Sequence, residues 1–340
     1  AHCLKWYQAS PSKKHVNAFW QNAKGETRLT IAERKRILTT HIYGVDIDQQ
    51  AVETTKLSLL LKALEGENDT TLSRQMALFH ERALPNLSDN IKCGHSLIAS
   101  DFSMSPEELV RVRAFDWPAQ FPDAMTSGGF DAVVGNPPYI QLSMKEFRDD
   151  QVNAYLKARA GMSGGRLNTF ILFIEKARCL TRDGGELGFI VPNTLLTQEH
   201  YEEARQRLVR DTWIKYVVSP KEQVFRDAVV ENIIVIAQRT AVGAQSASLE
   251  STFADLSELG IDSIQRVLQT EFAMNFRTSF VVPADPELAA LKTKLNSQPL
   301  TFGGLLNINQ AIALKHDRAA CLTDKPLSSR YHEILDGRHI

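Results

Sequence analysis

A strand that runs directly into two consecutive prolines is the feature that most constrains the fold of this chain. Residues 129–135 read Gly-Phe-Asp-Ala-Val-Val-Gly, and Asn136, Pro137, Pro138 and Tyr139 follow at once. A short apolar run bounded by glycine predicts a buried strand, and proline cannot continue its hydrogen-bond ladder. We therefore expect the strand to end at residue 135, with a rigid turn directly after it.

Strands and helices alternate on both sides of this turn. The sequence predicts helices at about 49–64, 168–180 and 199–210, and strands at about 41–48, 91–98, 129–135, 187–191, 213–218 and 232–237. Such alternation predicts an α/β fold with a mostly parallel sheet and helices on both of its faces. The last two strands have only a short connection, so we expect them to form an antiparallel hairpin at one edge. Asn168 is expected to cap the second helix, and the glycines at 184 and 185 are expected to end it.

The turn after residue 135 carries the residues best suited to chemistry, because open α/β sheets bind ligands at the carboxyl ends of their strands. The Asn136 side-chain oxygen and the Pro137 carbonyl can accept the two N–H bonds of an exocyclic amine such as that of adenine. These bonds would aim the nitrogen lone pair at a methyl donor and stabilise the positive charge that develops on nitrogen. Pro137 and Pro138 would hold the carbonyl in place. Tyr139 offers a ring on which a flipped base can stack. The simpler alternative is a rigid turn without a function.

An acidic strand end lies upstream, in Tyr43-Gly44-Val45-Asp46-Ile47-Asp48. A carboxylate at the end of the second strand of such a sheet binds the hydroxyls of a nucleoside ribose, and Asp46 fits this role. Asp48 is better placed to cap the helix that begins near Gln49. Alternatively, both carboxylates are solvated capping groups.

These motifs resemble those of the amino-methyltransferases of type IIG and related restriction–modification enzymes, over nearly the whole chain. Residues 44–48 match the ribose-binding motif of that family, and residues 94–98 resemble its third motif, near the adenine of the cofactor. Where this chain has His95, members of the family usually carry Asn or Asp. Residues 185–193 resemble the strand after the catalytic loop, and Phe225 the aromatic residue on the other face of the flipped adenine. A plain core position is the alternative for Phe225.

The resemblance implies a Rossmann-like methyltransferase sheet, S-adenosylmethionine as cofactor, and transfer of its methyl group to N6 of adenine in double-stranded DNA. It implies catalytic roles for Asn136, Pro137, Pro138 and Tyr139, and substrate contacts from Tyr139 and Phe225. The cofactor-binding residues that it implies are Asp46, Ile47, His95, Ser96, Leu97 and Asn136. It also implies fused or associated nuclease and recognition domains.

One family feature has no counterpart in this sequence. The family holds the methionine part of the cofactor with a glycine-rich loop after its first strand, but residues 1–43 contain a single glycine, Gly25. We therefore expect an internal fragment whose catalytic domain, residues 1–242, lacks that first strand. Residues 243–300 are expected to form a linker and short helices. Residues 301–340 resemble the beginning of a target recognition domain.

Composition limits the other classes of function. The formal net charge of −1 gives no support for nucleic-acid binding, so any basic surface must be local. The four cysteines have no metal-site or disulfide spacing, which favours a reducing cytoplasm and predicts no metal. No apolar run approaches the roughly 20 residues that span a bilayer, so no membrane contact is expected.

Two other functions stay open from the sequence. The same four-residue motif occurs in methyltransferases that modify a glutamine of protein release factors, and similar loops occur in ribosomal RNA methyltransferases. The segment between Ile140 and Asn168 and the residues after Val242 speak against these. The other function is that of a vestigial, non-catalytic DNA-binding subunit.

Overall fold

The computed structural model describes residues 5, 9, 18–21, 25–65, 85–142, 149–161, 167–221, 231–241, 248–257, 260–281, 287, 290–291, 294–295 and 297–298. The chain divides into two compact units, residues 1–282 and 283–340. The first unit is a mixed α/β structure around a central sheet. No helix of the described residues is long and apolar enough to cross a membrane.

Two short pairs of strands precede the central sheet. The strands β1 (Phe19–Gln21) and β2 (Thr27–Leu29) form an antiparallel hairpin. The strands β3 (Gly44–Asp46) and β4 (Ile91–Cys93) pair in parallel. The predicted strands at 41–48 and 91–98 are therefore present but shorter, since the chain leaves the ladder directly after Asp46 and Cys93.

The central sheet has six strands in the order β10-β9-β7-β8-β6-β5. Their bounds are β5 (Phe130–Gly135), β6 (Thr181–Pro192), β7 (Thr212–Pro220), β8 (Asn232–Arg239), β9 (Glu250–Ser257) and β10 (Gly260–Leu268). The pairs β5–β6 and β7–β9 are parallel, and the pairs β6–β8, β7–β8 and β9–β10 are antiparallel.

Two expectations for this sheet were wrong. The strands β7 and β8 are antiparallel as predicted, but they do not lie at an edge, because β8 lies between β6 and β7 and the β9–β10 hairpin extends the sheet beyond β7. Residues 250–268, expected to be linker and short helix, form that hairpin. Its position depends on backbone pairing with the distant β7, where Tyr216 faces Thr252, and local composition does not show such a pairing.

The helices of the first unit mostly begin at a side chain that caps them. Asp48 accepts a hydrogen bond from the Gln50 N–H, and Asn168 from the Phe170 N–H, so both predicted caps are confirmed. The bounds are α1 (Ile31–His41), α2 (Gln49–Leu64), α3 (Pro106–Arg111), α4 (Trp117–Gln120), α5 (Pro122–Thr126), α6 (Asp150–Ala160), α7 (Thr169–Leu180), α8 (Glu202–Asp211) and α9 (Gln269–Met274).

The helix α7 passes straight into β6, and the glycines expected to end it lie inside that strand. Gly184 has a left-handed backbone with φ +76°, at the place where the β5–β6 register shifts between Phe130 and Ala132. The glycines therefore serve a bulge that lets Glu186 pair with Ala132, and no loop separates helix from strand.

The main core lies where α7 and α8 pack on the central sheet. Its fully buried side chains include Phe170, Ile171, Leu187, Val191, Leu208, Ile214 and Ile233. A smaller cluster of Val52, Leu87 and Ile91 lies between α2 and the β3–β4 pair. The leucines at 57 and 61 of α2 are outside it and more than half exposed.

The facing edges of β3 and β5 have no strand partner among the described residues. The ring of Tyr43, just before β3, lies 5.6 Å from that of Phe130, the first residue of β5. The two strands are thus neighbours, yet β3 pairs only with β4 and β5 only with β6. Val134 of β5 is 82% exposed, which is unusual for a valine in a parallel strand of an α/β sheet.

Candidate functional site

The proline-rich loop leaves β5 at the carboxyl end of the parallel β5–β6 pair. At Gly135 the backbone comes so close to β6 that an added Cβ would lie 2.7 Å from Cε1 of Phe189. Any larger side chain would have to displace this ring, so glycine suits this position. Asn136 follows with an exposed side chain, and Pro137 is buried. Among the described residues, neither the Asn136 amide nor the Pro137 carbonyl has a hydrogen-bond partner.

Thr169 fixes this loop from the other side. Its hydroxyl donates to the Pro138 carbonyl at 2.5 Å and accepts the Ile140 N–H at 3.1 Å. Its own N–H donates to the Ile140 carbonyl at 2.9 Å. Three hydrogen bonds from one residue at the start of α7 therefore hold residues 138–140, and the Asn168 cap fixes the start of that helix. Sequence reasoning did not identify Thr169, because only the fold brings it to the loop.

Tyr139 joins the loop to the core. Its ring meets that of Phe170 edge-on, with centroids 6.2 Å apart, and its hydroxyl donates to the Ile190 carbonyl at 3.2 Å. Burial raises the pKa of Tyr139, so the hydroxyl stays protonated and remains a donor. The side chain is only half-buried, which leaves part of the ring accessible.

The carboxyl ends of β3 and β4 form a second part of the site. Asp46, the last residue of β3, is exposed, and its Oδ1 accepts the Asp48 N–H at 2.8 Å. This bond turns the chain sharply into α2 and fixes one carboxylate oxygen. Among the described residues, the other oxygen has no hydrogen-bond partner.

The loop after β4 carries His95. At Gly94 an added Cβ would lie 2.5 Å from Cδ2 of Phe115, so only glycine lets the two segments touch. The His95 N–H then donates to the Arg113 carbonyl at 2.7 Å, and its ring Nδ1 accepts the Leu97 N–H at 3.2 Å. Burial lowers the pKa of His95, which favours the neutral ring.

A cavity of about 450 Å³ lies beside the carboxyl ends of β3 and β4. Ile47 and His95 of the predicted residues line it. Asp46, Ser96, Leu97 and Asn136 are not in its lining. The Ser96 carbonyl accepts the Trp117 Nε1–H at 3.0 Å, and Leu97 is part of the main core. The full lining is Ile47, Asp48, His95, Ile98, Arg111, Val112, Arg113 and Val152.

Sequence reasoning missed the far wall of this cavity. Arg113 has a left-handed backbone with φ +52° and donates from Nη1 to the Ile47 carbonyl at 2.5 Å. Val152 comes from α6, where Asn153 also donates to the Leu142 carbonyl at 3.0 Å. Helix α6 therefore lines the cavity and also contacts the chain that follows the proline-rich loop. No local pattern marks these residues, since 66 positions separate Arg113 from Ile47.

Two predicted features lie outside the described residues, namely Phe225 and the proposed recognition segment 301–340. In the part of the chain that is described, no group of three or more His, Cys, Asp or Glu side chains could hold a metal ion.

Comparison with known proteins gives a family for this arrangement. Residues 40–225 match the model of the Eco57I restriction-modification methylase family. The type II restriction enzyme and methyltransferase RM.Eco57I of Escherichia coli is 29% identical over 202 residues, which are 59% of this chain and 19% of that protein. The type II methyltransferase M.TthHB8I of Thermus thermophilus is 33% identical over 88 residues, or 24% of this chain and 20% of that protein. The chain thus spans about a fifth of the length of these relatives.

A solved structure extends the comparison to more of the chain. A nuclease-deletion mutant of the type ISP restriction-modification enzyme LlaGI, in complex with a DNA substrate mimic, is similar over 77% of this chain and 23% of that one. The identity is 11% and the TM-score 0.49, and a similarity of this size carries no information on function.

Proposed function

Since the chain belongs to the Eco57I family of restriction-modification methylases, we propose that it is the catalytic core of a DNA methyltransferase that modifies N6 of adenine. The observation that carries this proposal is the pair of acceptors at Asn136 and Pro137. They lie at the carboxyl end of β5, on a loop that Thr169 already holds in place.

The chemistry of the target explains this pair. The lone pair of the adenine amine is delocalised into the ring, so the nitrogen is a poor nucleophile. Acceptance of its two N–H bonds by the Asn136 oxygen and the Pro137 carbonyl favours a tetrahedral nitrogen and stabilises its developing positive charge. Thr169 bonds to the neighbouring Pro138 carbonyl and leaves the Pro137 carbonyl available. Since Thr169 already holds the loop, the Pro137 carbonyl needs no reorganisation during the reaction.

The ring of Tyr139 suits a flipped base. Stacking of a base on an aromatic ring contributes roughly 1–3 kcal/mol. The contacts of Tyr139 with Phe170 and Ile190 hold its ring while part of it stays accessible. A contact from Phe225 on the opposite face of the base remains a prediction.

The cavity beside β3 and β4 fits the nucleoside part of S-adenosylmethionine. Four of its lining residues are aliphatic, as a purine site requires, and Asp46 ends the neighbouring strand with a carboxylate oxygen that has no partner among the described residues. Asp46 would bind the ribose hydroxyls, and Ile47 and His95 would contact the adenine. When bound, the cofactor supplies an electrophilic methyl group on sulfur.

The open edges of β3 and β5 support a further proposal, that one more strand of the whole protein completes the sheet between them. The exposed Val134 would be buried by that strand, and the loop after it would hold the methionine part of the cofactor. Residues 1–340 alone should then bind S-adenosylmethionine much more weakly than the protein expressed from its complete gene. Equal affinities in a calorimetric titration would exclude this proposal.

The central test is methylation of DNA by the protein from the complete gene, with nucleosides analysed by mass spectrometry. We expect N6-methyladenine from the native protein and a loss of about 10²–10³ in kcat for Asn136→Ala, the size found for removal of one preorganised partner in a transition state. Asn136→Asp keeps an acceptor oxygen and should retain more activity.

The matched control is Asn86→Ala, which changes another exposed asparagine outside the loop. Its activity should equal that of the native protein. Unchanged methylation in Asn136→Ala would refute the proposal, and methylation of a protein glutamine or of RNA in place of DNA would favour the other substrate classes.

A further inference from the structure

The hydrogen bonds of His95 determine which of its ring nitrogens carries the proton. A neutral imidazole has one nitrogen that donates and one that accepts. The Leu97 N–H donates to Nδ1 of His95 at 3.2 Å, so Nδ1 is the acceptor. The proton then lies on Nε2, which can only donate. The lowered pKa of His95, caused by burial, favours this neutral form.

The cavity lining holds three further polar side chains besides His95, namely Asp48, Arg111 and Arg113. Arg111 pairs with Glu108 and Asp149. Arg113 donates from Nη1 to the Ile47 carbonyl, and Asp48 accepts the Gln50 N–H through Oδ1. Within the described residues, His95 Nε2 has no hydrogen-bond partner. The rest of the lining is aliphatic and consists of Ile47, Ile98, Val112 and Val152. A ligand that fills the cavity excludes water from Nε2, and it must then offer Nε2 an acceptor or leave this donor unsatisfied.

We propose that the Nε2–H of His95 donates to N1 of the cofactor's adenine, so that His95 recognises the purine through a ring nitrogen and not through its 6-amino group. The inference rests on the proposed function. The Watson–Crick edge of adenine presents an acceptor at N1 beside a donor at the 6-amino group. A donor such as Nε2–H matches only N1, whereas a carboxylate or amide oxygen at the same position would match the amine.

Two analogues of S-adenosylhomocysteine distinguish recognition of N1 from recognition of the 6-amino group. Their binding is measured with the native protein expressed from the complete gene. In one, C–H replaces N1; in the other, hydrogen replaces the 6-amino group. We expect the analogue without N1 to bind about tenfold more weakly than S-adenosylhomocysteine, as loss of one buried hydrogen bond predicts. The analogue without the amine should bind within about threefold of it, because the amine has no acceptor at His95. The reverse order of affinities would overturn the inference.

Substitution of His95 gives a second, independent measurement. His95→Asp replaces the donor by an acceptor and should reverse the ranking of the two analogues, while His200→Asp, at an exposed histidine outside the cavity lining, should leave it unchanged. Nitrogen-15 NMR of the native imidazole should show the proton on Nε2 without any substitution. A proton on Nδ1, or an unchanged ranking in a folded His95→Asp protein, would contradict the inference.

Methylation of DNA with the natural cofactor is measured in parallel, so that the two proposals fail separately. If the protein methylates adenine but ranks the analogues in the reverse order, only the role of His95 is wrong. If neither S-adenosylhomocysteine nor its analogues bind, both proposals are wrong.

Discussion

The two strand ends that make up the candidate site differ in how completely the chain builds them. At the end of β5, Thr169, Phe170 and Ile190 hold the loop through hydrogen bonds and a ring contact. At the end of β3, Asp46 is exposed, and its carboxylate has one hydrogen bond, to the Asp48 N–H. The proposed substrate side is thus preorganised by the fold itself, whereas the proposed cofactor side lies beside an open sheet edge. Substitutions on the two sides should therefore affect different steps.

Some substitutions should affect only the proposed substrate side or only the proposed cofactor side. Among these, Thr169→Val should have the largest effect. Valine keeps the shape but removes the bonds to the Pro138 carbonyl and the Ile140 N–H, each worth about 1 kcal/mol. We expect kcat to fall by roughly 30-fold, as about 2 kcal/mol at the transition state implies, while the cofactor Kd stays unchanged. Single-turnover methylation and calorimetric titration measure the two quantities.

Two controls distinguish positioning of the loop from general damage. Thr169→Ser keeps the hydroxyl and should restore most of the rate. Thr126→Val removes the hydroxyl of an exposed threonine in α5, whose bond is to the Pro122 carbonyl, and should change neither quantity. A parallel loss of cofactor affinity in Thr169→Val would show that the two sides are not independent.

Asp46→Asn should have the opposite effect to Thr169→Val: it should weaken cofactor binding and leave kcat nearly unchanged. Asparagine can still accept the Asp48 N–H and so preserves the turn, but it removes the charge that would bind the ribose hydroxyls. Hydrogen bonds to a charged group are worth about 1.5–3 kcal/mol, so we expect the cofactor Kd to rise by about tenfold or more at nearly unchanged kcat. Titration and saturation kinetics of the protein from the complete gene test both.

Asp48→Asn is the matched control, because asparagine caps α2 about as well as aspartate. Its cofactor Kd should change by less than about threefold. If Asp48→Asn weakened the cofactor more than Asp46→Asn, the ribose-binding role would belong to Asp48, which also lines the cavity.

The sequence predicted the locally determined parts of both sides and missed the rest. A strand followed by two prolines, and a polar side chain before an apolar helix, are local patterns, and the β5 turn and the caps Asp48 and Asn168 follow from them. Thr169 and Arg113 act on residues 29 and 66 positions away. The β9–β10 hairpin likewise depends on pairing with β7. Such contacts are created by tertiary packing, so neither spacing nor composition marks them in one sequence.

Tyr139→Phe should have the smallest effect on kcat of these substitutions. It tests what the Tyr139 hydroxyl contributes to the proposed substrate side. It removes the hydroxyl bond to the Ile190 carbonyl but keeps the ring and its contact with Phe170. A net loss of at most about 1 kcal/mol predicts a fall in kcat of roughly three- to fivefold. Tyr139→Ala also removes the proposed stacking surface and should lower the rate much further.

The comparison of these two variants decides what Tyr139 contributes. Because burial raises the pKa of Tyr139, its hydroxyl is protonated throughout the neutral range, so the ratio of the native rate to the Tyr139→Phe rate should not depend on pH there. If phenylalanine were as damaging as alanine, the hydroxyl and not the ring would be the essential group. Tyr139 would then act, like Thr169, by holding the loop, and the flipped base would have to stack elsewhere.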